Sequence, residues 1–431
     1  MQLYDTATRR VQELPPPPGP IGMYFCGPTV YARAHIGNAR PFIVGMWLRT
    51  WLRARGYEAT LVHNITDIND KIYAAAPGRS AELAEDASRW YIEDTGDFGL
   101  GRADYEPKAS ESIPEILALI EDLVERGLAY QANGDVYYRV HRFPDYGRLA
   151  GRHDDDESPR NPSEEEEQTA LKEDPRDFAL WKSHKEGEDT WWDSPWGRGR
   201  PGWHIECSAM AEKFLGPSFE IHGGGLDLIF PHHENEVAQS RGAGREFAHI
   251  WTHNGMLRFT GEKMSKSAGN VVTMRDALDE WGRETLLVYF MGAHWRKPMD
   301  YSAAPLQSAR VQAEGFRNVF REESRPAPEG SWDRFVAALD DDFNTPDALA
   351  LIHQWRDHDL LLRALEVFGL GSLAEGEDAP AEIASLADRR QDARARRDFE
   401  EADRLREQVE EAGWEVRDVA EPPGYRLVRR S

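Results

Sequence analysis

Two histidines and two glutamates crowd residues 232–236 of the stretch "FPHHENEVAQ", directly after Pro231. Proline favours the first position of a helix, and a helix begun there puts His232 and Glu236 at i and i+4, on one face. An imidazole and a carboxylate so placed form part of a metal site. His233 and Glu236, at i and i+3, are a competing pair that periodicity alone does not separate from the first. A charged first turn also stabilises a helix with no ligand at all. A complete site needs donors from elsewhere, and the chain has two cysteines, Cys26 and Cys207. Cys26 ends an apolar strand pattern, where open α/β sheets bind ligands; Cys207 sits early in a helical pattern. Two thiolates, an imidazole and a carboxylate make a tetrahedral zinc set. The alternative is a pair of buried thiols acting as small apolar residues.

Three further stretches carry chemistry. In "GPTVYARAHIGN" (27–38) a Gly-Pro turn leads to His35, Gly37 and Asn38 at a helix start. Free amides and the positive helix end suit a phosphate there, His35 can hydrogen-bond it, and Gly37 lets a nucleotide come close. In "TGEKMSKSAGN" (260–270) Lys263 and Lys266 stand three apart between glycines. Such a loop can close on a triphosphate and stabilise departing pyrophosphate, whereas its bland reading is an exposed basic loop. In "HGGGLDLIF" (222–230) three glycines, Gly224 in the middle, suggest close backbone approach to an adenosine. Asp227 can accept from a ribose hydroxyl or simply hold a turn, and His222 is a weaker candidate for the same pocket.

The elements that must position these residues follow from apolar patterning. Residues 21–25 read as a buried strand, 35–56 as a helix stopping at Gly56, and "YEATLVHNI" as a second strand. Strand, helix and strand with a helix-length crossover predict a parallel α/β sheet of Rossmann type. Helical patterns run from about 80 to 128, and "LAYQANGDVYYRV" reads as a hairpin turning at Asn-Gly. The sheet resumes with "WHIECSAMAEKFLG" as helix, "FEIHGGGLDLIF" as strand and glycine turn, a helix after Pro231, and "HIWTHNGMLRF" as strand. The middle, about 96–200, therefore reads as an insertion. From about 302 the pattern is helical and ends in a charged hairpin, "DRRQDARARRDFEEADRLREQVEEAG".

At 431 residues the chain is long enough for several domains around large cores. No apolar run approaches the roughly 18 residues of a membrane span, and the first residues lack a signal-peptide core. A cytoplasmic protein is expected, with no membrane partner. The net charge of -24 argues against a generally basic nucleic-acid binder, though not against a local basic face. Much of the excess lies in "HDDDESPRNPSEEEEQTALKEDPRD" (153–177), which reads as an exposed acidic loop.

As a set, "FCGPTVY", "HIGNAR", "NITDINDKI", "GRPGWHIECSAM", "IHGGGLDLIFPHHENEVAQS" and "KMSKSAGN" resemble the class I cysteinyl-tRNA synthetases, in the family's order. "DDDFNTPDAL" and the charged hairpin extend the resemblance almost to the C-terminus. It implies a Rossmann-type catalytic domain over 1–300, split by a connective peptide at about 96–200 and carrying the KMSKS region at about 255–300. A helical bundle over 301–385 and a small anticodon-binding region over 386–431 are implied to follow.

The resemblance also implies one zinc ion on Cys26, Cys207, His232 and Glu236, with His233 a neighbour. It implies His35 and Asn38 on the phosphates of ATP, Lys263 and Lys266 on the pyrophosphate, and Thr29, Thr66, Trp203 and His222 around the amino acid. The implied partners are L-cysteine, ATP with Mg2+ and tRNA(Cys), acted on by a monomer. Asn69 and Ala32 stand where the family more often has aspartate, and the end "GYRLVRRS" departs from its commoner tail. A ligase joining cysteine to an amino sugar shares these motifs but resembles a synthetase without the tRNA-binding tail. About 130 residues after Tyr301 favour tRNA as acceptor. A catalytically silent zinc- and nucleotide-binding regulator is disfavoured by both lysines and all four ligands.

Overall fold

A computed structural model describes residues 1–152, 171–259, 262–263, 271–375, 379–418 and 423–429, with only the backbone at 262–263, 426, 428 and 429. Lys266 and most of the acidic loop lie outside these residues.

Four parallel strands form the central sheet, in the order Phe247–Asn254, Ser218–Gly225, Pro20–Phe25, Glu58–His63. Their burial runs nearly unbroken at the carboxyl ends, as expected of a parallel sheet covered on both faces. Successive residues point to opposite faces. Phe25 lies against Gly45 of the helix Ile36–Ala54, whereas Tyr24 joins a core with Ile205 and Cys207 of the helix Trp203–Leu215. The glycine run after His222 continues the strand as far as Gly225 instead of turning. Packing requires this: a Cβ on Gly223 would lie 2.5 Å from the Phe25 ring. The regular helix after Pro231 starts at Glu234, preceded by the segment Ile229–His233, in which extended backbone at Phe230 (φ -137°, ψ 132°) makes a kink.

The insertion leaves the sheet gradually. Residues 104–109 still hydrogen-bond along the edge strand, with His63 N donating to the Tyr105 carbonyl and Ile65 N to that of Pro107, both at 2.9 Å. This covers an edge that would otherwise be open. Beyond the helix Ile113–Glu125 come four antiparallel strands, Ala129–Ala132, Asp135–Tyr138, Phe178–Ser183 and Gly199–Pro201. The first hairpin turns at Asn133 and Gly134, both at positive φ (55° and 89°), as its Asn-Gly sequence predicts.

Helices Ala303–Val319, Ser331–Asp340, Thr345–Ile352 and His358–Val367 follow. Trp47 and Trp51 fasten them to the sheet's first helix, their indole N–H groups donating to the Phe368 carbonyl and to Asp340 at 3.0 Å each. The chain divides into two compact units, 1–370 and 371–431. The second unit packs helices Ala381–Ala395 and Phe399–Glu411 with the hairpin Trp414–Asp418 and Tyr425–Arg429 around Ile383, Ala387, Val409 and Trp414. The boundary expected at 385/386 falls inside its first helix, and the sequence reading did not foresee its two strands. Among the described residues no helix is long and apolar enough to cross a membrane.

Candidate metal and nucleotide site

Cys26 is the first residue past the strand Pro20–Phe25, its N–H donating to the Gly223 carbonyl at 3.0 Å. The chain turns at once at Gly27, where a Cβ would lie 1.6 Å from the Asn64 carbonyl oxygen, so glycine alone fits. Cys207 comes from the second turn of the helix Trp203–Leu215, and the segment after the kink at Phe230 and the helix that follows it deliver His232 and Glu236.

From Cys26 Sγ the distances are 3.8 Å to Cys207 Sγ, 3.7 Å to His232 Nε2 and 3.7 Å to Glu236 Oε1. His232 Nε2 is 3.1 Å from Glu236 Oε1. All four residues are buried. A tetrahedral ion bound at about 2.3 Å to sulfur and about 2.0 Å to nitrogen or oxygen separates its ligands by roughly 3.3–3.8 Å. The three spacings from Cys26 fall in that range, and the His232–Glu236 distance is 0.2 Å short of it.

Cys26, His222, His233 and Glu236 also converge, with His233 Nε2 at 3.4 Å from Cys26 Sγ. That set is the poorer fit. His222 Nε2 is 2.8 Å from Glu236 Oε2, a hydrogen-bond distance shorter than any tetrahedral edge, and His233 lies 3.9 Å from Glu236. His233 also packs at the back of the site, where a Cβ on Gly224 would be 3.0 Å from its ring.

A chain of imidazoles underlies the site. His204 and His232 meet Nδ1 to Nδ1 at 2.9 Å, His233 Nδ1 meets His253 Nε2 at 2.8 Å, and His253 Nδ1 meets Thr6 Oγ1 at 2.7 Å. Burial lowers the proton affinity of four rings: His222 and His253 are pushed down to about 3, and His232 and His233 well below their ordinary value. Burial, reinforced by the Cys207 thiol, pushes Cys26 well up, and burial does the same to Glu236. A cation among these atoms would reverse both shifts.

A cavity of about 250 Å³ opens beside Cys26 at the carboxyl edge of the sheet. It is lined by Thr29, His35, Gly37, Asn38, Trp203 and Asp227, so six expected residues come together there. Trp203 stacks on His232 at 4.2 Å, joining the cavity wall to the metal donors. Other expected residues lie elsewhere. Thr66 is buried behind the wall, bridged to Thr29 and accepting from Asn64 Nδ2 at 3.2 Å. His222 is fully buried beneath the donors, stacked on Trp251 at 4.4 Å, and Gly224 faces His233. The backbone of Lys263 forms a short strand against Arg258.

Sequence reasoning missed His204, His253 and Asn254 in and around this site. It also missed buried Asp94, which pairs with Arg33 of the cavity wall (3.0 Å) and with Arg275 (2.9 Å), just beyond the lysine loop. The available signal for His253 and Asn254 was two polar residues closing an apolar strand at its carboxyl end.

Comparison with known proteins shows the family and the fold. Residues 14–311 match the family model described as the tRNA synthetases class I (C) catalytic domain, and 334–357 match the DALR domain. A cysteine–tRNA ligase of Methylobacillus flagellatus is 42% identical over 99% of both chains. One from Anoxybacillus flavithermus is 40% identical over 100% of this chain and 99% of its own. Methionyl-tRNA synthetase from Mycobacterium tuberculosis, solved with methionyl-adenylate, shares the fold. Its TM-score is 0.59 at 13% identity, over 82% of this chain and 88% of that one.

Proposed function

We infer the chemistry of this site from one premise: the chain belongs to the class I (C) tRNA synthetases, the cysteine–tRNA ligase family. It activates L-cysteine with ATP and transfers the cysteinyl group to tRNA. The single observation that carries the substrate assignment is the buried donor set Cys26, Cys207, His232 and Glu236, of which Cys26 lines the cavity beside Trp203. We assign a zinc ion to that set. Its chemistry is to take the substrate thiolate as an additional, soft ligand while refusing the harder and far less acidic hydroxyl of serine. Shape alone separates such near-isosteres poorly.

The chain's own residues do the remaining work by positioning and charge stabilisation. Thr29 and Trp203 flank the amino acid, with Thr66 holding the Thr29 turn from behind. A cysteine carboxylate oxygen attacks the α-phosphorus of ATP, and the bond from that phosphorus to the bridging oxygen of pyrophosphate breaks. His35 and Asn38, at the helix start, donate to the phosphate oxygens as charge builds up. Lys263 and Lys266 compensate the departing pyrophosphate, which leaves with Mg2+. In the second step the terminal ribose hydroxyl of the tRNA attacks the adenylate carbonyl. Cysteinyl-tRNA forms, and AMP leaves as the hydroxyl proton passes to phosphate or solvent.

The helical region and the unit 371–431 are assigned to tRNA recognition, with tRNA(Cys) as acceptor and a cytoplasmic monomer as the working form. The test is cysteine-dependent ATP–pyrophosphate exchange followed by charging of tRNA(Cys) and, in competition, of an amino sugar. Exchange with tRNA charging is expected. Absence of exchange, or charging of the sugar alone, overturns the reading.

A further inference from the structure

The outer strand of the parallel sheet, Phe247–Asn254, closes on a buried carboxamide, that of Asn254. Asn254 is 1% exposed and lines the cavity. Neither its Oδ1 nor its Nδ2 has a hydrogen-bond partner among the described residues. Buried amides are almost always paired, so an unpaired one facing a ligand cavity points to the ligand as its partner.

Its place along the sheet edge says which part of the ligand. Cys26 follows one central strand, Gly225 ends its neighbour, and Asn254 pairs with Gly225 on the far side. A ligand held at its thiol end beside Cys26, with its phosphates at the helix start, reaches Asn254 with its opposite end. That end of the cavity is lined by Met256 and Leu257, apolar surfaces suited to a flat ring. A Cβ on Gly37 would be 3.9 Å from Leu257 Cβ, so the helix start closes over the same place. The segment is rigidly held. Buried Arg40 donates to the carbonyls of Gly255 (2.6 Å) and Lys297 (2.7 Å), and Gly255 N donates to the Trp295 carbonyl at 2.8 Å.

We propose that Asn254 reads the adenine base of the nucleotide. A carboxamide offers one donor and one acceptor side by side, and adenine offers its 6-amino donor beside a ring-nitrogen acceptor. The two match in paired hydrogen bonds. The assignment rests on the ATP-dependent reading above and adds to it the group that selects the base.

The test measures calorimetric binding of a non-hydrolysable ATP analogue and of its purine-riboside counterpart, which lacks the 6-amino group, to the full chain and to Asn254→Ala. The parent is expected to prefer the adenine analogue by at least tenfold. Asn254→Ala should lose most of that preference while keeping its cysteine KM and its zinc content, a pattern that general loosening of the fold does not give. A parent that binds both analogues equally, or a variant that keeps the parent's preference, overturns the proposal. Binding is read without turnover, so a protein that binds ATP selectively yet supports no cysteine-dependent exchange would fail the ligase reading and leave the base assignment standing.

Discussion

Glu236 divides its two oxygens between different neighbours: Oε2 accepts from His222 Nε2 at 2.8 Å, while Oε1 faces His232 and Cys26 at 3.1 and 3.7 Å. His222 therefore fixes the rotation of the carboxylate, and with it the position of the oxygen left for a metal. Supporting groups of this kind are typically worth about 10–100-fold in metal affinity. His222→Ala is expected to weaken zinc binding by about that factor with the fold retained, measured by competition with a chromophoric chelator. Unchanged affinity would show that Glu236 needs no such support.

Cys207→Ser replaces a soft thiolate with a hydroxyl that stays protonated at neutral pH. We expect loss of bound zinc and a cysteine KM raised by about 100-fold or more, with ATP affinity little changed. Metal analysis and steady-state pyrophosphate exchange check this together. Zinc at full stoichiometry in the variant would remove Cys207 from the ligand set.

Zinc affinity should rise with pH. Burial raises the proton affinity of Cys26 and Glu236 in the metal-free fold, so the Cys26 thiol holds a proton at neutral pH that a metal must displace, and Glu236 is shifted in the same sense. Buried His232 is held neutral and releases none. Binding then releases protons, and the apparent affinity climbs across the neutral range. Calorimetry in buffers of different ionisation enthalpy should give net release; zero or net uptake contradicts the assignment.

Asp94 links the cavity wall to the segment beyond the lysine loop through Arg33 and Arg275, whose side chains are 34% and 26% exposed. Burial raises Asp94 despite both guanidinium groups, so their attraction only partly offsets its desolvation. Asp94→Asn should leave stability within about 1 kcal/mol of the parent, the relieved desolvation offsetting the lost attraction, and raise the KM for ATP more than that for cysteine. Thermal unfolding and exchange kinetics give both readouts. An equal rise in the two KM values would reduce Asp94 to a purely structural role.

The cluster of candidate metal donors was legible because three separated motifs each supplied ligand-type residues, and the strand-end position of Cys26 is a property of parallel sheets. The choice between His232 and His233 was not, since i+3 and i+4 both reach Glu236. Both rings lie within 3.7 Å of Cys26, on another element, and it is the distances to Glu236, 3.1 Å for His232 and 3.9 Å for His233, that separate them. His204 and His253 were invisible for the same reason: their partners come from other elements, and an isolated histidine in a strand or helix carries no periodic signal. The run Gly223–Gly225 read as a turn because glycine usually marks one. It is strand because the Phe25 ring leaves no room for a side chain at Gly223. The terminal strands Trp414–Asp418 and Tyr425–Arg429 escaped notice because short, charged segments alternate too weakly.

X-ray absorption at the zinc edge tests the central claim most directly. The metal-loaded protein should show two sulfur ligands at about 2.3 Å and two lighter ligands at about 2.0 Å. Addition of cysteine should raise the sulfur count to three, and addition of serine should change nothing. A sulfur count that stays at two with saturating cysteine would contradict thiol selection by this site.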